Sequence, residues 1–299
     1  MTIEIAGLKL RNPIMLAAGV LGISSSLLRR VVEAGAGAVV TKSIGLEPRA
    51  GYPNPTVAVV KCGLLNAMGL PNPGIESFSE EITALKILNV PVIVSVFGSS
   101  PEEFAHIARE TEKAGADALE LNASCPHVKG VAEICQDPLL LSKVVESVKS
   151  AVSVPVFTKL SPNVADIVET AKTAEDAGSD AVTAINTVRA MAIDIETGCP
   201  ILANKIGGLS GPAIKPIAVR CVYEISRSIG IPVIGCGGVT CWQDAVELLL
   251  AGATAVQIGT AIAKEELTIF NEVAAGIRDY LREKEYGKVK EIIGLSHRY

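Results

Sequence analysis

Four strings constrain this chain more than anything else in it: AGAGAVV at 34–40, AGADALEL at 114–121, AGSDAVTA at 177–184 and AGATAVQI at 251–258. In each, a glycine and a small residue able to end a helix run straight into an apolar stretch able to begin a strand. Three more apolar stretches are entered through a proline, in NVPVIV at 89–94, SVPVFT at 153–158 and GIPVIG at 230–235. Together with the run at 14–18 they predict strands at 14–18, 38–41, 90–96, 116–121, 154–160, 180–185, 231–236 and 253–258. Between them, apolar residues recur at helical spacing, as in Phe104, Ile107, Ala108 and Thr111, or Val164, Ile167, Val168 and Ala171.

Strands that are apolar along their length must bury both faces, which is the condition of a parallel sheet flanked by helices. Repeated strand–helix units of this number close as an α/β (β/α)8 TIM barrel. An open doubly wound sheet is the structural alternative, but no GxGxxG follows any strand. Alternation at 2–5 and 8–10 around Ala6-Gly7 adds an N-terminal β-hairpin, and 267–284 reads as the closing helix, with Phe270, Val273, Ile277 and Leu281 on one face. Barrels of this kind run as one unit, so 1–299 is expected to be a single domain. Connections at 43–74, 122–137 and 186–212 exceed the usual length in α/β folds. All three leave the C-terminal ends of strands, so these long βα loops are expected to lie over an active site.

Composition narrows the function classes. A net charge of −5 with no basic run argues against a nucleic-acid surface, and 4% aromatic residues leave little for base stacking. Seven cysteines without a CxxC, and His106, His127 and His297 without ligand spacing, predict no metal site on this chain and a reducing, cytoplasmic setting. The uncharged stretch at 12–28 holds Pro13, Gly19, Gly22 and three serines, which makes it a poor membrane span.

Several strand ends carry chemistry. GCGGV at 235–239 and QIGTA at 257–261 follow the last two strands, where barrels often bind phosphate on backbone N–H groups. Lys42 and Lys159 end buried strands, and a lysine there can pair with an anion, form a Schiff base or sit beside an anionic cofactor. Cys125, held between Ser124 and Pro126, can serve as general base or nucleophile. Cys236 is read only as packing in its glycine loop. Asn66, Asn122 and Asn186 fall one to each long loop, and amides suit a ring that alternates C=O with N–H.

The motifs VTKSIGLEPRAGYPNP at 40–55, LLNAMGLPNPG at 64–74, ELNASCPH at 120–127, TKLSPN at 158–163, INT at 185–187, GGLSG at 207–211, GCGGV and GATAVQIGTA at 252–261 together resemble the dihydroorotate dehydrogenase family over nearly the whole chain. The resemblance implies an FMN-containing barrel that oxidises dihydroorotate to orotate in pyrimidine biosynthesis. A cysteine at 125 is similar to the soluble class, and the NAMGLPNPG form is most similar to its NAD-linked subtype. In that subtype a partner electron-transfer subunit carries FAD and [2Fe–2S], and the catalytic subunits form a homodimer within a heterotetramer. By the same resemblance, Cys125 takes a proton from C5 of the substrate. Lys42, Asn66, Met68, Gly69 and Leu70 hold the carboxylate, while Asn122, Asn186 and Thr187 bond the pyrimidine. Lys159 sits by the flavin N1 and O2. Ala18, Gly19, Lys42, Ser43, Asn122, Ile185 and Gly211 line the flavin, with Gly237, Gly238, Gly259 and Thr260 on its phosphate. His127 stands where the family has Asn, and the Ser-Cys-Pro-His string resembles the pyrimidine-reducing domain of dihydropyrimidine dehydrogenases. Uracil or thymine chemistry is therefore one alternative, and a Schiff-base aldolase using a barrel-mouth lysine is another.

Overall fold

The computed structural model describes residues 1–123 and 134–299. The chain opens with β1 (Ile3–Ile5) and β2 (Leu8–Leu10), an antiparallel hairpin in register Ile3↔Leu10. Ala6 and Gly7 turn it with φ of 49° and 84°, the left-handed pair that a tight hairpin needs. Then come β3 (Ile14–Leu16), α1 (Ser25–Glu33), β4 (Ala38–Val40), β5 (Val57–Val60), β6 (Gly63–Asn66), α2 (Ile75–Leu85), β7 (Val92–Val96), α3 (Pro101–Ala114) and β8 (Ala118–Asn122). They are followed by α4 (Pro138–Ala151), β9 (Val156–Leu160), α5 (Ile167–Asp176), β10 (Ala181–Ala184), β11 (Val188–Ala190), β12 (Gly207–Ser210), α6 (Lys215–Ser226), β13 (Val233–Cys236), α7 (Trp242–Leu250), β14 (Ala255–Ile258), α8 (Ile262–Glu265) and α9 (Ile269–Glu283).

Strands β3, β4, β7, β8, β9, β10, β13 and β14 form a closed barrel in that order. The pairs are parallel throughout, and the ring closes where β14 lies beside β3 with Val256↔Ile14. Seven of the eight expected strands contain one of these, and the fourth, expected at 116–121, overlaps β8, which runs one residue further to Asn122, so the fold is the anticipated (β/α)8 barrel. Most are shorter at the entrance because the small-residue strings belong to the turn. In AGADALEL, for example, the Ala116 N–H still bonds back to Thr111 at the end of α3. Helix α3 illustrates the punctuation: Ser100 caps its start, Pro101 occupies the first turn and Gly115 ends it at φ 108°. The closing helix α9 buries Phe270, Val273, Ile277 and Leu281, as its spacing predicts.

One sheet was not anticipated. β5 and β6, from the connection after β4, pair with β12 and β11, from the connection after β10, as a four-stranded antiparallel sheet in the order β11-β12-β6-β5. Its central register, Gly208↔Asn66, ties two of the three long connections together over the barrel mouth. A small separate core of Leu65, Ala67 and Leu202 lies beneath it. Among the described residues, no helix is long and apolar enough to cross a membrane.

Candidate active site

The cavity lies at the C-terminal ends of the barrel strands and has a volume of about 390 Å3, within the usual range for a small-molecule site. Every proposed site residue from the sequence reading lines it, except Cys125, which together with His127 lies outside the described residues.

Its first wall comes from the ends of β3 and β4. Ala17 donates to the Ile258 carbonyl at 2.9 Å, so the β3 backbone continues to Ala18 and Gly19 at the rim. Gly19 has φ 93°, and a side chain there would point into open space. Lys42 is buried; its backbone N–H donates to Gly22 at 2.9 Å and its Nζ reaches the Gly19 carbonyl at 3.4 Å. Gly22 has to be glycine, since a Cβ would stand 2.2 Å from the Lys42 nitrogen. Asn122 donates through Nδ2 to the Ser43 hydroxyl at 3.0 Å, and Ser43 in turn meets Ser95 at 2.9 Å.

The sheet over the mouth brings the second wall. Asn66 ends β6 and donates to the Gly208 carbonyl at 3.2 Å. Met68, Gly69 and Leu70 follow, with Gly69 and Leu70 at φ 74° and 56°, a left-handed turn against the cavity. Ile185, Asn186 and Thr187 leave β10. The Asn186 side-chain oxygen accepts from the Thr187 N–H at 2.8 Å, and the Thr187 hydroxyl sits where a side chain on Gly208 would be. Asn163, quoted only as part of a motif, holds this segment from outside by donating to the Thr187 carbonyl at 3.0 Å and accepting from the Arg189 N–H at 2.8 Å.

The third wall is made of glycine turns. Gly211, Gly237 and Gly238 have φ of 96°, 133° and 77°. The backbone N–H groups of Gly237, Gly238, Gly259 and Thr260 make no hydrogen bond among the described residues. Exposed donors on neighbouring loops make an anion-binding concavity.

The floor is polar and buried. Lys159 Nζ lies 3.4 Å from Glu120 Oε1 and donates to Gln257 Oε1 at 3.0 Å. Burial works against the Lys159 ammonium, yet the Glu120 carboxylate and the Cys236 thiol together outweigh it and hold the pKa above its ordinary value. Cys236, read from the sequence as packing in its glycine loop, lines the cavity here; burial pushes its thiol up and Lys159 pulls it partly back. Gln257, inside a motif but given no role, also faces the cavity. So do Ala17, Val20, Val57, Leu64, Ser210 and Ile214, small or apolar residues with no chemical signal in the sequence. Among the described residues, no group of three or more His, Cys, Asp or Glu is placed to hold a metal.

The whole of 1–281 matches the family model for dihydroorotate dehydrogenase. The chain belongs to the dihydroorotate dehydrogenase family. It is 55% identical over 297 residues to a Pyrococcus furiosus protein named dihydroorotate dehydrogenase B (NAD(+)), catalytic subunit, covering 99% of this chain and 98% of that one. A Methanosarcina acetivorans protein of the same name is 53% identical, with 98% and 95% covered. The fold is also that of a solved dihydroorotate dehydrogenase from Eimeria tenella in complex with ferulenol, with a TM-score of 0.87 at 20% identity over all of this chain and 89% of the other.

Proposed function

We propose that the chain is the catalytic subunit of an NAD-linked dihydroorotate dehydrogenase, oxidising (S)-dihydroorotate to orotate in pyrimidine biosynthesis with FMN as its cofactor. The observation that carries this reading is the convergence on one cavity of a buried lysine at the rim, three amides, a second buried lysine in the floor and two glycine turns with uncommitted N–H groups.

The residues fit FMN on their own chemistry. The N–H groups of Gly237, Gly238, Gly259 and Thr260 suit its phosphate, and the open face at Gly19 with Ala18 and Ile185 suits a flat ring. Lys159, in the cavity floor, would supply a cation to the negative charge that develops on the reduced ring. When bound, FMN supplies the acceptor for the hydride leaving C6 of the substrate. Lys42, with Asn66 and the turn at 68–70, holds the substrate carboxylate, while Asn122, Asn186 and Thr187 orient the ring. Cys125 takes the proton from C5. A partner subunit carrying FAD and [2Fe–2S] would pass the electrons to NAD+, with the catalytic subunits paired in a cytoplasmic heterotetramer.

Anaerobic addition of dihydroorotate to the FMN-loaded protein tests cofactor, substrate and chemistry together. Bleaching of the flavin is expected, and a flavin that stays oxidised excludes the reading. Cys125→Ala should slow bleaching by about 100-fold to 10,000-fold, the usual contribution of a positioned base, while orotate still perturbs the flavin spectrum. The buried Lys42 favours an anionic substrate over uracil or thymine, so orotate should displace uracil from the same site.

A further inference from the structure

The barrel floor contains a charge that the proposed reaction does not use. Glu120 is fully buried on β8, between Leu119 and Leu121. A carboxylate in such a place is costly unless each lone pair is met, and here they are met. Oε2 accepts from the Thr183 hydroxyl at 2.9 Å and from Gln257 Nε2 at 2.7 Å, while Oε1 faces Lys159 Nζ at 3.4 Å. Glu120, Thr183 and Gln257 come from β8, β10 and β14, alternate strands of the ring, and so form one layer of the barrel filling.

Gln257 is the hinge of this arrangement. Its Oε1 accepts from Lys159 and its Nε2 donates to Glu120, so one amide is fixed from both ends. An ammonium has three N–H donors. Two of those on Lys159 are accounted for by Glu120 and Gln257, and the third has no partner among the described residues. Lys159 lines the cavity, and this leaves one donor for whatever lies above it. Among the described residues, the other titratable group facing the ammonium is the Cys236 thiol on β13.

We propose that Glu120 and Gln257 are positioning residues that hold the Lys159 ammonium, charged and with one N–H free, against the cofactor, and so set how readily that cofactor is reduced. This rests on the reading that the cavity holds FMN. Without Glu120, burial acts on the ammonium with its nearest carboxylate gone; without Gln257, the side chain loses one of its two anchors. In both cases the cation at the floor weakens, and the equilibrium moves against the reduced, anionic flavin.

The test is the two-electron reduction equilibrium of bound FMN against a reference dye, in the full chain and in Lys159→Met, Gln257→Met, Glu120→Gln and the Lys159→Met/Gln257→Met double variant. Lys159→Met should shift the equilibrium about 100-fold against reduction. Gln257→Met and Glu120→Gln should each shift it about tenfold in the same direction, or about 30 mV for a two-electron couple. In the Lys159→Met background, Gln257→Met should change it by less than about twofold, since the residue acts only through the lysine. A Gln257→Met effect that persists undiminished without the lysine, or that is absent or reversed with it, overturns the proposal. Should Glu120→Gln not fold, the three variants without it decide the question. Wild-type protein that takes up no FMN, read by quenching of flavin fluorescence, overturns the cofactor reading itself, and this inference with it.

Discussion

Lys42 is the residue on which substrate class turns. It is buried at the cavity wall, and a carboxylate meeting it forms a charge-assisted hydrogen bond, a contact that contributes roughly 1.5–3 kcal/mol. Lys42→Met should therefore weaken orotate binding about 10-fold to 100-fold while FMN content stays as in the wild type. Titrating orotate against the flavin spectrum checks this, and unchanged affinity would place the carboxylate elsewhere. The cysteines divide by environment. Cys62 and Cys199 are exposed, while burial pushes the Cys135 thiol up to about 12 and also raises Cys221. Only a thiolate is a good nucleophile. Iodoacetamide at pH 8 should thus label Cys62 and Cys199 in the native protein and reach Cys135 and Cys221 only after unfolding, as peptide mass mapping would report. At this scale the sequence exposed the residues with an obvious task, such as Lys42, Asn122 and the glycines at 237 and 238. It hid Glu120 and Gln257, because a single polar residue in an apolar strand gives no sign of whether it points into the barrel or out of it. The one available signal was the cost of burying a charge in such a strand, which demands a partner.

The barrel strands were readable because each is a largely apolar run that buries both faces, a pattern that little else produces. The sheet over the mouth was not, for a physical reason: its strands are three or four residues long, and Asn66 pairs with Gly208, 142 residues away. Its residues are ordinary for loops, and the pairing exists only once the barrel has brought both connections to one end. This sheet carries Asn66 and rests on a core of few residues, so it should be separable from the barrel in stability. Leu65 is 2% exposed in that core, and Leu65→Ala should cost about 2–5 kcal/mol locally. Hydrogen exchange should then accelerate at 57–66 and 188–210 and orotate affinity should fall, with the barrel strands still protected. Val59, on the outer strand β5 and 83% exposed, is the control; Val59→Lys should change stability by no more than about 0.5 kcal/mol. Faster exchange spread evenly over the barrel in Leu65→Ala would mean that the sheet and barrel unfold as one.

Across the whole molecule, the ring of helices is held by contacts that join elements far apart in the chain. Arg11 beyond the hairpin donates to the carbonyls of Val32 and Ala36, and His297 near the C-terminus meets the Ala251 carbonyl at 2.9 Å. Lys215 at the start of α6 reaches both Asp244 and Glu247 on α7 at 2.8 Å, closing the last third of the ring behind the glycine turn at 237–238. Asp244 also accepts the N–H groups of Thr240 and Cys241, so it anchors that turn to the helix. Burial acts against its carboxylate, but the Lys215 bond and the Thr240 donors outweigh it and hold its pKa below the ordinary 3.8. The same contact raises Lys215 above its ordinary 10.5. A carboxylate with a depressed folded pKa lets the unfolded chain bind protons first as pH falls, so its stabilisation is complete above the ordinary value and is lost through the folded one. The lysine works in the opposite sense: its share is complete below 10.5 and is lost as pH rises through the raised folded value. Asp244→Asn should accordingly lower stability by about 1–3 kcal/mol at pH 7, through the lost cap and ion pair. The gap between wild type and variant should be constant across neutral pH, then narrow as pH falls below about 4. Urea midpoints measured from pH 7 down to pH 2 read this directly. A gap of the same size at both ends would show that the charge on Asp244 contributes nothing, and that only the shape of the side chain holds the turn.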